Sequence, residues 1–209
     1  MKIKSITMLV VALTAASLIG TTAIAATLTV QIVDAAGMSV MNAVAYAEPA
    51  SGQTLPKPQR LAQIEQKSRQ FAPLVTVVQT GAAISFPNHD TVRHHVYSFS
   101  PAKIFELKLY AGIGGDPVIF DKPGTVVVGC NIHDHMVAYI QIVDTPYFAK
   151  SDASGKAVLE NILPGKYRLK TWHPNQSASV AHPEQLVTID SSDVNLPVKL
   201  NFSTQKKQD

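Results

Sequence analysis

Short runs in which apolar and polar residues alternate make up most of this chain. In Thr27-Leu28-Thr29-Val30-Gln31-Ile32-Val33 every second side chain falls on one face of an extended strand, so one face is apolar and the other polar. The same period predicts strands over 40–46, 62–66, 75–80, 82–86, 95–99, 117–120, 125–130 and 137–143. Further strands are predicted over 157–160, 166–172, 186–189 and 194–201. Turn chemistry separates them at Asp34-Ala35-Ala36-Gly37, Lys122-Pro123-Gly124, Ser151-Asp152-Ala153-Ser154-Gly155-Lys156 and Leu163-Pro164-Gly165. Residues 48–60, punctuated by Pro and Gly, read as a linker. Residues 100–116 carry no clear period; Phe105, Leu107 and Leu109 offer a short strand, and Gly112, Gly114 and Gly115 a loop. A helical period is hard to find, and the expected fold class is an all-β sandwich.

The first 25 residues break this pattern. Lys2 and Lys4 precede an apolar run from Ile6 to Ile19, and Ala23-Ile24-Ala25 offers a small-residue cleavage site. This is the form of a secretory signal peptide, and the apolar run is short for a membrane span. The expectation is an exported, periplasmic protein without membrane insertion after cleavage. Loss of Lys2 and Lys4 takes 18 basic residues to 16 against 15 acidic ones, so the basic balance belongs largely to the leader. No basic stripe for nucleic acid remains.

Cys130 is the only cysteine, so no internal disulfide is open to it. It begins the run Cys130-Asn131-Ile132-His133-Asp134-His135-Met136, between the strands expected at 125–130 and 137–143. A thiolate, an imidazole and a thioether thus stand at positions 0, +3 and +6 of one short loop. His94-His95 lies upstream in another strand-like stretch, and alternation sends those two rings to opposite faces. One Cys, two His and one Met are the donors of a type 1 copper site, where soft sulfur suits Cu(I) and imidazole suits either oxidation state. Read singly, each residue has a plainer role: a buried thiol or a core methionine, a polar loop histidine. His89 and His135 are expected to be exposed loop residues. Zinc also takes Cys and His, but Met136 is a poor zinc ligand. No G-x-S-x-G elbow occurs, and no hydrolase is expected.

Residues 62–143 resemble the cupredoxin family of blue copper proteins through most of a domain. Ile64-Glu65-Gln66 followed by Phe71-Ala72-Pro73 resembles the family's first strand and its F-x-P step. Gly81-Ala82-Ala83-Ile84-Ser85-Phe86-Pro87-Asn88 resembles its G-x-x-I-x-F-x-N segment, and His94-His95-Val96 its H-N-V. The C-x₂-H-x₂-M loop has the short, amicyanin-like form. The resemblance implies a Greek-key sandwich and one copper ion cycling between Cu(I) and Cu(II). It implies His94, Cys130, His133 and Met136 as metal ligands, with Asn88 tying the two ligand loops together. It further implies electron transfer between redox partner proteins, no bond chemistry of the chain's own, and the type labelled methylamine utilisation. The chain departs from the pattern at Ile132, where Pro is common, at His95, where Asn is usual, and at His135 just before Met136. A dinuclear centre needs a second cysteine and is excluded.

The flanks resemble a different family. Val30-x-Ile32-x-Asp34-x-x-Gly37 with Asn42-Ala43-Val44, and Ser151-Asp152-x-x-Gly155-Lys156 with Asn161-Ile162-Leu163-Pro164-Gly165-Lys166-Tyr167, resemble a transthyretin-like carboxypeptidase-regulatory sandwich of the carbohydrate-binding-like type. The expected division is a signal peptide at 1–25, a first hairpin at 26–52, a linker at 53–61, the copper domain at 62–143, the rest of the second sandwich at 144–203 and a tail at 204–209. In the plainer arrangement, 27–48 is an extra hairpin on the cupredoxin and 144–203 a separate appendage. Two other functions stand beside electron transfer. One is copper handling without fast electron exchange, suggested by His89, His95 and His135. The other is sugar or protein binding by the flanking sandwich, for which Tyr147, Phe148, Tyr167 and Trp172 are the available aromatics.

Overall fold

The computed structural model describes residues 25–52, 55, 61–177 and 184–203. The signal-peptide segment, most of the 53–61 linker and the 204–209 tail lie outside the described residues. Seventeen strands and no helix occur among the described residues. In chain order they are β1 Ala26–Val33, β2 Val44–Pro49, β3 Leu61–Gln63, β4 Glu65–Lys67, β5 Gln70–Ala72, β6 Val75–Gln79, β7 Ala82–Ser85, β8 His94–Ser100 and β9 Lys103–Tyr110. Then come β10 Val118–Phe120, β11 Gly124–Cys130, β12 Val137–Val143, β13 Phe148–Lys150, β14 Lys156–Ile162, β15 Gly165–Trp172, β16 Glu184–Ile189 and β17 Val194–Lys199. The fold is all-β, as the alternation requires.

The two ends of the chain form one pair of sheets. β1 lies between β14, antiparallel, and β17, parallel, and the second sheet has the order β13-β2-β15-β16. Leu28, Val30 and Ile32 of β1, with Leu159 and Ile162 of its neighbour β14, face Tyr167 and Leu169 of β15 across one buried cluster. Burying each large aliphatic side chain contributes about 1.5–3 kcal/mol before entropy is counted. The Ser151–Lys156 turn is tied into this core. The Ser151 hydroxyl donates to the Val40 carbonyl and accepts the Ala43 N–H. Gly155 has φ +79°, and a Cβ there would lie 2.4 Å from the Ile32 carbonyl oxygen, so only glycine fits.

The middle of the chain forms the second pair. A five-stranded sheet of order β6-β12-β11-β8-β9 packs on the three-stranded sheet β10-β7-β3, and β4 and β5 make a separate hairpin. Ile84, Phe120, Val126, Val128, Ala138 and Ile140 fill the space between. A third, smaller cluster joins the two pairs: Val44 and Trp172 from the end sheets meet Val75 of β6, with Tyr46, Val77 and Tyr139 around them. The Lys150 ammonium also crosses this seam, donating to the Val75 carbonyl at 2.9 Å, and burial lowers its pKa.

Several sequence expectations shift. The return strand expected at 40–46 runs from Val44 to Pro49, because Asn42 takes a left-handed turn (φ 64°) and its N–H donates to the Ser151 carbonyl. The strand expected at 62–66 is two strands in different sheets, broken at the buried Ile64, whose N–H donates to the Ser85 carbonyl. The 100–116 stretch holds β9, eight residues long. It is the sheet's edge strand with no fully buried position, which is why its sequence shows no clear period. The strand expected at 95–99 starts one residue earlier, so His94 is its first member. β5 and β13, three residues each, carry too short a pattern to read.

Candidate metal centre

β11 ends on Cys130, which is buried at one end of the middle cluster. β8 begins on His94, and the two strands pair directly, with Cys130 opposite Val96. Residues 131–135 make a tight loop closed by the Met136 N–H donating to the His133 carbonyl at 2.9 Å. These elements bring His94, Cys130 and His133 together, their donor atoms all within 4.8 Å of one another. The Nδ1 of His94 and the Nδ1 of His133 each stand 3.8 Å from the Cys130 sulfur. The rings are edge to face, 5.0 Å between centroids.

Those distances fit a metal ion. Bonds of about 2.05 Å to nitrogen and 2.3 Å to sulfur, spread at 120°, set nitrogen–sulfur separations of about 3.8 Å. One thiolate and two imidazoles in that arrangement are the trigonal donor set that suits copper. Met136 follows the loop, fully buried in the same cluster as Cys130. His133 is only half-buried. Partial burial, then the neighbouring His94, Arg69 and His135, push its pKa below the ordinary imidazole value, with Asp90 opposing. The shift favours the neutral imidazole, the form in which Nδ1 has a lone pair to offer a metal.

His94 is fully buried and fixed from both ends. Its Nδ1 faces the cysteine, and its Nε2 lies 2.8 Å from a carboxylate oxygen of Asp90. Burial pushes the Asp90 carboxyl up, but the Arg69 N–H, the His94 ring and the Ser68 N–H outweigh it and hold the pKa below the ordinary carboxylate value.

Asn88, expected to tie the two ligand loops together, fastens the His94 side. Its amide donates to the Val92 and Tyr110 carbonyls, and its carbonyl accepts the Asp90 N–H. Beneath it Gln66 is wholly buried and donates to the Phe86 carbonyl and the Tyr110 hydroxyl. The Tyr110 hydroxyl donates in turn to the Phe86 carbonyl, and burial pushes its pKa up to about 12.

The remaining histidines lie apart from this group. His95 turns to the other face of β8 and meets Glu106 at 2.9 Å. His89 is exposed, 3.7 Å from Glu65. His135 is exposed as well, its ring 6.2 Å from that of His133.

Asp90 escapes sequence reasoning; its position four residues before His94 is the one available signal. No helix among the described residues is long and apolar enough to cross a membrane.

No protein-family profile matches the chain, and no curated protein matches it. Several solved structures are similar to part of it. A copper-containing nitrite reductase from Thermus scotoductus SA-01 is 20% identical over 46% of this chain, with a TM-score of 0.37. The chain covers 25% of that reductase's length. A purple cupredoxin from Nitrosopumilus maritimus is 20% identical over 39% of this chain and 98% of its own, with a TM-score of 0.32. Amicyanin from Paracoccus versutus is 11% identical over 46% of this chain and 97% of its own, with a TM-score of 0.36.

Proposed function

We propose that this chain is a type 1 copper protein that passes single electrons between redox partner proteins, and that it catalyses no bond chemistry of its own. The observation that carries the reading is the placement of two imidazole Nδ1 atoms, each 3.8 Å from the Cys130 sulfur, at one end of a rigid sheet pair. A copper ion held there by Cys130, His94 and His133 would supply a one-electron Cu(II)/Cu(I) couple.

The protein's part is to hold donors that suit both states. Cys130 supplies the thiolate from the last position of β11. His94 supplies an imidazole that its hydrogen bond to Asp90 keeps from rotating. His133 supplies the second imidazole, and its half-exposed ring offers partners an approach. Met136, by the cupredoxin resemblance, would supply a weak thioether donor. The packed strands on either side keep these positions fixed, so little reorganisation accompanies electron exchange.

Export to the periplasm is part of the proposal, supported by the leader pattern of residues 1–25. The same resemblances support methylamine utilisation as the setting and a transthyretin-like sandwich for the end sheets. A second reading, copper holding without rapid exchange, is favoured by the exposed His135 ring beside His133, an extra imidazole at the loop.

Visible spectroscopy of the purified chain titrated with Cu(II), followed by voltammetry, tests both readings. An intense thiolate-to-copper band, absent in Cys130→Ser, with reversible one-electron cycling is the expected result. The band without reversible cycling leaves copper holding as the function. Absence of the band in the parent protein overturns the copper reading.

A further inference from the structure

The turn between β4 and β5 has an unusual backbone. Ser68 (φ 54°) and Arg69 (φ 55°) are consecutive left-handed residues, and neither is glycine or asparagine. Side chains of this kind avoid that region, because Cβ crowds the following carbonyl. The conformation has a visible return. It aims both amides at one carboxylate: Ser68 N–H donates to Asp90 Oδ1 at 2.6 Å, and Arg69 N–H to Asp90 Oδ2 at 2.9 Å. The Asp90 N–H is held in turn by the Asn88 carbonyl at 2.9 Å. Every degree of freedom of this side chain is taken, and its Oδ2 is left against His94 Nε2 at 2.8 Å. The His94 side chain is 0% exposed and that of Asp90 14%, so little water competes for the contact.

We propose that Asp90 is a positioning residue for the metal centre: clasped by the 68–69 turn, its carboxylate accepts the Nε2–H of His94 and leaves the bare Nδ1 facing Cys130. The inference rests on the copper reading and deepens it. Fixing the proton on Nε2 selects the one tautomer in which Nδ1 has a lone pair to give. The carboxylate also sets a negative charge one ring away from the ion. A negative charge favours Cu(II) over Cu(I), so Asp90 holds the reduction potential down. The backbone clasp explains why the charge stays there: two N–H groups and an imidazole N–H all point at it.

The test uses the full chain and three variants, Asp90→Asn, Asp90→Ala and Asp90→Glu. Nitrogen-15 shifts of the histidine rings are read in the metal-free protein. Copper affinity and reduction potential are read in the loaded protein. The parent is expected to hold His94 in the Nε2–H tautomer without metal. Asp90→Asn keeps an acceptor but loses the charge, and its potential is expected to rise. Asp90→Ala loses both, mixes the tautomers and weakens copper by about 10- to 100-fold. Asp90→Glu restores the charge and returns the potential towards the parent value.

A parent without the Nε2–H tautomer overturns the proposal. So does an Asn variant whose potential equals the parent's. If Asp90→Ala fails to fold, the Asn variant decides. The tautomer is read without copper, so a locked His94 in a protein that shows no thiolate band sinks the copper reading alone. A normal band with unmoved potentials sinks the role of Asp90 alone.

Discussion

The end sheets and the middle sheets bury their faces by the same alternation, yet they finish differently. In the end sheets, Leu28, Ile32, Leu159, Ile162 and Leu169 close over one another, and the polar groups that enter, such as Ser151, are bound to backbone, here the Val40 carbonyl and the Ala43 N–H. In the middle sheets the apolar cluster runs up to Cys130 and Met136, and at that end His94, Asn88 and Gln66 are buried as well. A core whose only task is stability has no use for those polar groups, since each must find partners to offset its desolvation. Here the Gln66 amide N–H groups find them at Phe86 and Tyr110, while its Oε1 stays unpaired, and a second chain of hydrogen bonds runs from Asn88 through Asp90 to His94.

The strongest challenge to this contrast is to cut the seam. Trp172 is buried, and its ring lies 6.1 Å from that of Tyr139 across the two sheet pairs. Trp172→Ala is expected to cost about 3–5 kcal/mol. Urea unfolding followed by fluorescence of the tyrosines and by circular dichroism should then separate into two transitions; one coincident transition would show that the pairs remain a single cooperative unit. A smaller cut falls wholly on one side. Leu159→Ala, in the end-sheet core, is expected to cost about 2–5 kcal/mol of stability while the thiolate-to-copper band keeps its position and intensity. A displaced band would mean that the donor geometry leans on the end sheets.

The gentlest probe is pH. His173 is buried against Phe202, ring centroids 4.8 Å apart, and burial lowers its pKa despite an opposing hydrogen bond to the Met41 backbone. The unfolded chain therefore binds a proton that the folded chain resists. This part of the stability is complete above the ordinary imidazole value of about 6.5 and is lost as pH falls from there through the lowered folded pKa. Thermal melts of His173→Phe against the parent should show a shallower decline over that range in the variant.

How much of this was legible in the sequence follows from what each residue must satisfy. β1 and β11 were legible because one face of each is buried, which sets alternate positions inside, and β12, buried at four successive positions from Ile140, was legible from its apolar run. β9 was not, because an edge strand with no fully buried position is free of that demand. His94, Cys130 and His133 stood out as a group because they are rare residues at loop spacing beside recognisable strands, and the fold brings their donor atoms together. Asp90 did not stand out, being one of 15 acidic residues in a loop without period. Its clasp was hidden further: a Ser-Arg pair carries none of the glycine or asparagine signal that marks a left-handed turn.

The pairing of β1 and β2 has a consequence for how the chain is made. Neither strand pairs with the other; their neighbours are β14 and β17, and β13 and β15, all beyond residue 147. As the chain is synthesised, its first two strands emerge with no edge to join, and they stay so while roughly a hundred residues follow. Closing a loop of that length costs about 4 kcal/mol in chain entropy. A middle that has already folded, bringing β6 beside the place where β13 begins, removes most of that cost. The assembly order is therefore expected to be inside out: the middle sheets first, then the C-terminal strands, and the earliest-made segment last.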